Sequence, residues 1–176
     1  MINKLRKKIA SGFTLIETLM AIFILSVALT GPLTIASKGL QTALIAKDQT
    51  TAYYLAQDAV EYVRFKRDSN TLEGKEWLDG FVGCSVADGC TVDSVTNVVT
   101  PCPSAGCAAL NYQESKNWFT YSSGTGITKS SFVRKVTFTA VSGNADEMTV
   151  TVAVSWKDVG VLTRTVVVRE NIFKWQ

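Results

Sequence analysis

The feature that most constrains this chain is an uninterrupted apolar run near its N-terminus. The run covers 24 residues, from Phe13 to Ala36, and Glu17 is the only ionisable side chain in it. A helix of that length rises about 36 Å, enough to cross a hydrocarbon core of about 30 Å. Four lysines and arginines precede the run, within the first eight residues, and such cations mark the cytoplasmic side of a span. We therefore predict a single membrane span with the rest of the chain outside the cytoplasm.

A cleaved secretory signal and a plain membrane anchor are two simpler explanations of the run. A secretory signal has an apolar region of roughly 7–15 residues with a small-residue cleavage site beyond it. Here the run is longer, and its small residue, Gly12, comes before it. A plain anchor explains the length but not Glu17, because a carboxylate in a bilayer costs at least about 2.5 kcal/mol unless it is paired. Glu17 is therefore a candidate functional residue.

The N-terminal pattern resembles the processing and methylation signature of type IV pilins and type II secretion pseudopilins. A basic leader is followed by Gly12, Phe13 and Glu17 at fixed spacing, and then by the apolar helix. The resemblance implies that a prepilin peptidase of the inner membrane cuts between Gly12 and Phe13, and that Phe13 is then N-methylated. It also implies that the subunit joins other pilin subunits through its N-terminal helix, at an assembly platform.

Two partners are possible for the carboxylate of Glu17. After cleavage Glu17 lies one helical turn from the new terminus at Phe13, so it can meet its own terminal amine or favour the positive helix end. In the pilin family the matching acid is assigned to the amine of a neighbouring subunit. If a buried acid meets an amine only when neighbouring helices have the correct axial stagger, the pair would set the register of the helices as much as the strength of their association. We adopt the pairing with a neighbouring subunit as our expectation.

The pair Gly31-Pro32 predicts a break in the helix. Proline lacks the N–H donor and clashes with the carbonyl four residues back, here that of Ala28. One interpretation is a simple kink, which membrane helices tolerate. The resemblance implies in addition that this segment loses helicity when subunits pack into a filament, and the two interpretations are compatible.

Beyond the break, the sequence predicts an amphipathic helix laid on a sheet. An apolar stripe has helical spacing and consists of Ala52, Leu55, Ala56, Ala59, Val60 and Val63. From Trp118 onward apolar residues alternate, most clearly over residues 148–156, which predicts antiparallel strands. The preceding predicted strand has an apolar face that includes Ala140, and Arg134 is the one exception on that face. A hairpin turn is predicted at residues 158–160. The predicted fold class is α+β, with a long N-terminal helix packed on a C-terminal antiparallel sheet.

These patterns divide the chain into five segments. We expect a cleaved basic leader at 1–12, a transmembrane half of the helix at 13–36 and an amphipathic half at 37–68. We expect a variable cysteine-containing loop region at 69–117, followed by the antiparallel sheet at 118–176.

Four cysteines, Cys84, Cys90, Cys102 and Cys107, lie within 24 residues of one another. An even number of clustered cysteines in an oxidising, extracytoplasmic space favours disulfides. No C-x-x-C pair occurs, so a structural zinc site fits the spacing poorly. Three connectivities are possible, and we favour the local pairs Cys84–Cys90 and Cys102–Cys107.

Composition argues against several function classes. The chain has no histidine, which removes Ser–His and Cys–His nucleophile pairs and His-ligated metal centres. No other spacing suggests catalysis, so we do not expect an enzyme or a cofactor. Without the leader, 14 Lys and Arg stand against 15 Asp and Glu, and no nucleic-acid surface is expected.

No metal site is expected either. The acids that could suggest calcium are Asp68, Glu73, Asp88 and Asp93. None of them repeats the alternating pattern of a calcium loop, so we interpret them as solvated side chains.

The sequence therefore predicts a structural subunit, at first in the inner membrane and later in an extracellular or periplasmic filament. The strand at Trp156 resembles the minor-pilin branch, which favours a minor subunit. A type II secretion pseudopilin is the alternative within this class. The alternative from another class is an adhesion or DNA-binding module at the filament surface, in which the disulfide loop or the aromatic cluster of Trp118, Phe119 and Tyr121 contacts DNA or a host surface. The aromatic cluster suggests a surface that grips sugar or DNA, although such clusters are more often core.

Overall fold

The computed structural model describes residues 12–84, 88–157 and 162–174. Within these ranges one helix and seven strands are present. The helix, α1, spans Leu15–Leu72, and the strands form one antiparallel sheet. The fold class is α+β, which confirms the prediction.

Helix α1 contributes to two compact units of the chain, Met1–Leu44 and Ile45–Gln176. The first unit contains the apolar part of the helix. The second unit contains the amphipathic part of the helix and all seven strands. Each unit is described separately below.

The helix continues past the predicted end near residue 68 and stops at Leu72. Asn70 lies in its last turn, where an amide side chain commonly competes with the helix for backbone hydrogen bonds. Here the Asn70 amide donates instead to the carbonyls of Trp77, at 3.2 Å, and Asp79, at 2.8 Å. Because the amide is used by the following loop, the helix can extend through this residue.

Helix α1 runs through Pro32 as one continuous helix, so Gly31-Pro32 does not end it, and the predicted kink stays a prediction. Proline removes one backbone hydrogen bond, while the turns around it keep theirs. The Thr30 hydroxyl also donates to the Ser26 carbonyl at 2.7 Å, and the Thr34 hydroxyl donates to the Thr30 carbonyl at 2.8 Å. Loss of helicity on packing into a filament concerns the assembled state and stays a prediction.

The sheet is organised around one long central strand. The strands are β1 (Cys90–Asp93), β2 (Val98–Pro101), β3 (Ala109–Gln113), β4 (Trp118–Thr120), β5 (Ile127–Val141), β6 (Asn144–Lys157) and β7 (Thr163–Phe173). Strand β5 pairs with β6 and, on its other edge, with β1 and β3. Strands β2, β4 and β7 extend the sheet from β1, β3 and β6.

Strands β1, β2 and β3 lie in the segment 69–117, for which the sequence predicts a loop region. They have only four, four and five residues, too few to show a clear alternation of apolar and polar side chains. Strand β2 also ends at Pro101, a residue that counts against a strand in sequence.

The predicted apolar stripe of α1 is buried in the same core as one face of the sheet, which confirms the predicted layers. The buried residues of the stripe are Ala52, Leu55, Ala56, Ala59, Val60 and Val63. The sheet contributes Phe132, Val136, Phe138, Val150, Val152, Val154 and Trp156. Ala140, predicted on the buried face, is exposed, because the pairing of β5 with β6 becomes irregular directly after it. The hairpin turn predicted at residues 158–160 lies outside the described residues.

Arg134, the one charged residue on the apolar face of β5, joins the helix to the sheet. Its side chain is buried, with the residue 1% exposed. Nη1 donates to the Leu55 carbonyl at 2.8 Å and to the Asp58 carboxylate at 2.7 Å. Nη2 donates to the carbonyl of Val92 in β1. The guanidinium therefore holds α1, β1 and β5 together through groups that are distant in sequence.

We predict that Arg134→Ala lowers the free energy of unfolding of the full chain by about 3 kcal/mol, because it leaves buried carbonyls without a donor. Urea denaturation followed by circular dichroism, in one detergent throughout, measures this change. Arg169→Ala is the matched control, since Arg169 is an exposed arginine on β7 and should change stability by less than about 0.5 kcal/mol. Equal effects of the two substitutions would contradict the role of Arg134.

Candidate functional site

The predicted cleavage site lies immediately before helix α1. Gly12, Phe13 and Thr14 precede the helix, and the first helical hydrogen bonds run from Glu17 N–H and Thr18 N–H to the Thr14 carbonyl, at 3.1 and 3.2 Å. The Gly12–Phe13 bond is thus outside the helical hydrogen bonding. The Phe13 side chain is exposed, and a Cβ added at Gly12 would meet no atom within 4 Å. Nothing in the described residues covers this peptide bond.

Thr14 caps the helix, and Glu17 lies in its first turn. The Glu17 N–H donates to the Thr14 hydroxyl at 3.3 Å, which satisfies one of the N–H groups left free at a helix start. The spacing of Thr14 and Glu17 is that of a capping box, yet among the described residues the Glu17 carboxylate has no hydrogen-bond or ion-pair partner. Its charge is favourable near the positive helix end, and it is free to accept a further partner.

The apolar side chains that follow are uncovered. From Phe13 to Ile35, the large apolar side chains are between 55% and 81% exposed. By length and composition, α1 is the one helix among the described residues that could cross a membrane. An exposed apolar surface of this extent is unfavourable in water, so it requires lipid or other apolar helices around it.

The cysteines form the two local pairs, Cys84–Cys90 and Cys102–Cys107. Cys84 and Cys90 are fully buried, and the Cys84 carbonyl accepts the N–H of Phe138 at 3.0 Å. This disulfide therefore ties the segment after the helix to β1 and β5. The second disulfide closes a short loop after β2. In the ranges that the structure describes, no group of three or more His, Cys, Asp and Glu side chains could hold a metal.

The aromatic cluster of Trp118, Phe119 and Tyr121 belongs in part to the core. Phe119 packs at 5.9 Å from Phe132 between ring centres, and the Tyr121 hydroxyl donates to the Arg134 carbonyl at 3.3 Å. Trp118 is half-buried at the start of β4. The cluster is therefore continuous with the core at one end and partly accessible at the other.

Asp93 is a buried carboxylate that the sequence did not reveal. The interpretation of this residue as a solvated acid is wrong, because Asp93 is 4% exposed. It accepts hydrogen bonds from the Thr120 hydroxyl at 2.7 Å and from the N–H groups of Tyr121, at 2.8 Å, and Val95, at 3.0 Å. It thereby fixes the end of β1 against β4, next to Trp118. Two of its donors lie 27 and 28 positions away, so local spacing could not have predicted that Asp93 is buried.

The hydrogen bonds also determine how Asp93 ionises. Burial by itself raises the pKa of the Asp93 carboxyl, but the hydrogen bonds to its charged form outweigh burial and lower the pKa below its ordinary value. An acid with a lowered pKa stabilises the fold above its unfolded-state pKa of about 3.9, and that stabilisation is lost as the pH falls through the folded-state pKa.

We predict that Asp93→Asn weakens the loss of stability below about pH 4, since the substitution removes the titrating group. Thr120→Val, which removes one donor and retains the carboxylate, should give an intermediate dependence. Urea denaturation of the full chain between pH 2 and pH 7 measures both effects. If Asp93→Asn loses stability at low pH as steeply as the wild type does, the role of Asp93 in the pH dependence is contradicted.

Comparison with known proteins identifies the N-terminal segment. Residues 7–31 match the family model described as the prokaryotic N-terminal methylation motif. No curated protein and no solved structure matches the chain. The matched residues include Gly12, Phe13 and Glu17, together with most of the exposed apolar run.

Proposed function

We propose that this chain, which carries the N-terminal signature of type IV pilins and pseudopilins, is a structural subunit of a pilus-like filament, and a minor subunit rather than the major one. The match at residues 7–31 is the observation that carries the proposal. The uncovered apolar run supports it, as does the carboxylate of Glu17, which has no partner in the part of the chain that the structure describes. The minor assignment rests on the resemblance of the strand at Trp156 to the minor-pilin branch.

The first step of the proposal is processing in the inner membrane. A prepilin peptidase cuts between Gly12 and Phe13 and removes the leader, and the new amine of Phe13 is methylated. The position of this bond outside the helical hydrogen bonding supports access of a peptidase to it. The domain beyond the span lies outside the cytoplasm, where its two disulfides can persist.

We predict that Gly12→Val leaves the leader attached. Gly39→Val is the matched control, because an added Cβ meets no atom within 4 Å at either glycine and neither substitution crowds the described structure. Intact-mass measurement of membrane-extracted protein should show the wild type and the control without residues 1–12 and with one added methyl group. A mature mass for Gly12→Val would contradict the cleavage site.

The second step is assembly through the N-terminal helix. Helices that expose apolar side chains on every side can pack together into a core, and their packing alone permits several axial staggers. The Glu17 carboxylate selects the stagger in which it meets the Phe13 amine of a neighbouring subunit, because an unpaired charge in an apolar core is costly. In this assembled core the segment at Gly31-Pro32 loses helicity, and the strand domains form the outer layer.

We predict that Glu17→Leu inserts into the membrane but is incorporated into filaments less well, by about tenfold or more, since loss of the ion pair removes the preference for one stagger. Glu17→Asp retains the charge and is the control. The measurement is the ratio of subunit in sheared filaments to subunit in membranes. Normal incorporation of Glu17→Leu would show that the acid only stabilises the helix end.

The two possible partners of Glu17 can also be separated directly. Carbodiimide treatment of filaments couples a paired carboxylate and amine with loss of water. Pairing between subunits predicts covalent dimers that join Glu17 of one copy to Phe13 of another. A product joined only within one chain would contradict the assignment to a neighbouring subunit.

A further inference from the structure

A cleft of about 430 Å³ lies on the second unit. One wall is the stretch of α1 at residues 47–51, and the other is formed by β3, β4 and the start of β5. A second cleft of about 390 Å³ adjoins it and shares Thr51, Asn117 and Phe119 with it. Both volumes are in the range of small-molecule sites.

Two aromatic rings line the larger cleft. Tyr112 and Phe119 face each other across the pairing of β3 with β4, with ring centres 5.1 Å apart. Both side chains are half-buried, and Phe119 packs against the core, while part of each ring stays accessible. Aromatic surface held in this way can contact an apolar face of a ligand without a large loss of side-chain entropy.

Polar groups without partners surround these rings. The Tyr112 hydroxyl donates to the Asn117 side-chain oxygen at 2.5 Å, and the two N–H groups of the Asn117 amide have no acceptor among the described residues. Asp48 and Lys129 also line the cleft, and within the described residues neither side chain has a hydrogen-bond or ion-pair partner. The cleft thus offers amide and ammonium donors and a carboxylate acceptor on a partly apolar floor.

Asn117 is placed by an unusual backbone conformation. Its φ is 54°, and it is one of two residues other than glycine with positive φ among the described residues. Glycine is the residue that most easily adopts this conformation, and asparagine tolerates it better than most. The side chain is therefore held at the junction of the two clefts by the turn between β3 and β4.

We propose that this cleft binds a neutral saccharide. The C–H face of a sugar ring fits aromatic surface, and each sugar hydroxyl both donates and accepts, which matches the mixed groups of Asn117, Asp48 and Lys129. The cationic residues Lys47 and Lys129 exceed Asp48 by one charge in the cleft, and Asp58, which lines the adjoining cleft, is paired with Arg134. An excess of one cation is small for a polyphosphate chain, whose binding requires several cations. The proposal does not depend on filament assembly.

The test is saturation-transfer NMR on the full chain in a detergent without a sugar head group. The probes are the methyl glycosides of glucose, galactose, mannose and N-acetylglucosamine. Asn117→Gly removes the amide and keeps the backbone conformation, so the fold is retained. Asn97→Gly is the matched control, because Asn97 has a φ of 57° and does not line either cleft.

We expect at least one glycoside to bind the wild type and Asn97→Gly equally, and to bind Asn117→Gly more weakly by about five- to tenfold, the value of one hydrogen bond. Equal binding by the two variants, or binding of none of the four probes, would overturn the proposal. A single-stranded oligonucleotide that binds the wild type and is lost with Asn117→Gly would also overturn it, in favour of nucleic acid.

Discussion

The second unit of this protein depends on a buried charge that is shared between its layers. The apolar stripe of α1 and the apolar face of the sheet supply the area that is removed from water, but apolar contact alone is not directional. The guanidinium of Arg134 makes the packing of helix on sheet directional, because this group donates hydrogen bonds to Leu55 and Asp58 on the helix and to Val92 on β1. Loss of the bond to Leu55 or to Val92 leaves a polar group in the core, because both residues are buried. The helix is therefore held at one position on the sheet, and the clefts beside it have defined walls.

The two parts of helix α1 present opposite surfaces. Before Ala52 no residue of the helix is buried, while nine residues from Ala52 to Asn70 are buried. The covered part buries its apolar face against the sheet of the same chain. The apolar side chains of the uncovered part stay exposed, and the same hydrophobic effect that folds the second unit favours lipid or other helices around them. The proposed move from a membrane into a filament would require this division, since one part must stay folded while the other changes its surroundings.

Hydrogen bonds to Asp93 connect the fold to the accessible surface. This carboxylate holds Thr120 and Tyr121 in place, and these residues directly follow Trp118 and Phe119 in the chain. The buried carboxylate of Asp93 thus fixes the backbone next to Trp118 and Phe119, which line the clefts. Rigid support of this kind is what a binding surface needs if it is to keep its side chains in position.

The sequence alone determined the features that local spacing encodes. The leader, Gly12, Phe13, Glu17 and the apolar run follow a fixed spacing, the stripe on α1 has the helical period, and the valines of β6 alternate. Each signal lies within one short stretch of the sequence, so it can be recognised without knowledge of the fold. The tertiary structure alone decided the strands β1 to β3 and the partners of Arg134 and Asp93. Those outcomes depend on contacts between residues up to 79 positions apart, and burial gives such polar contacts their strength.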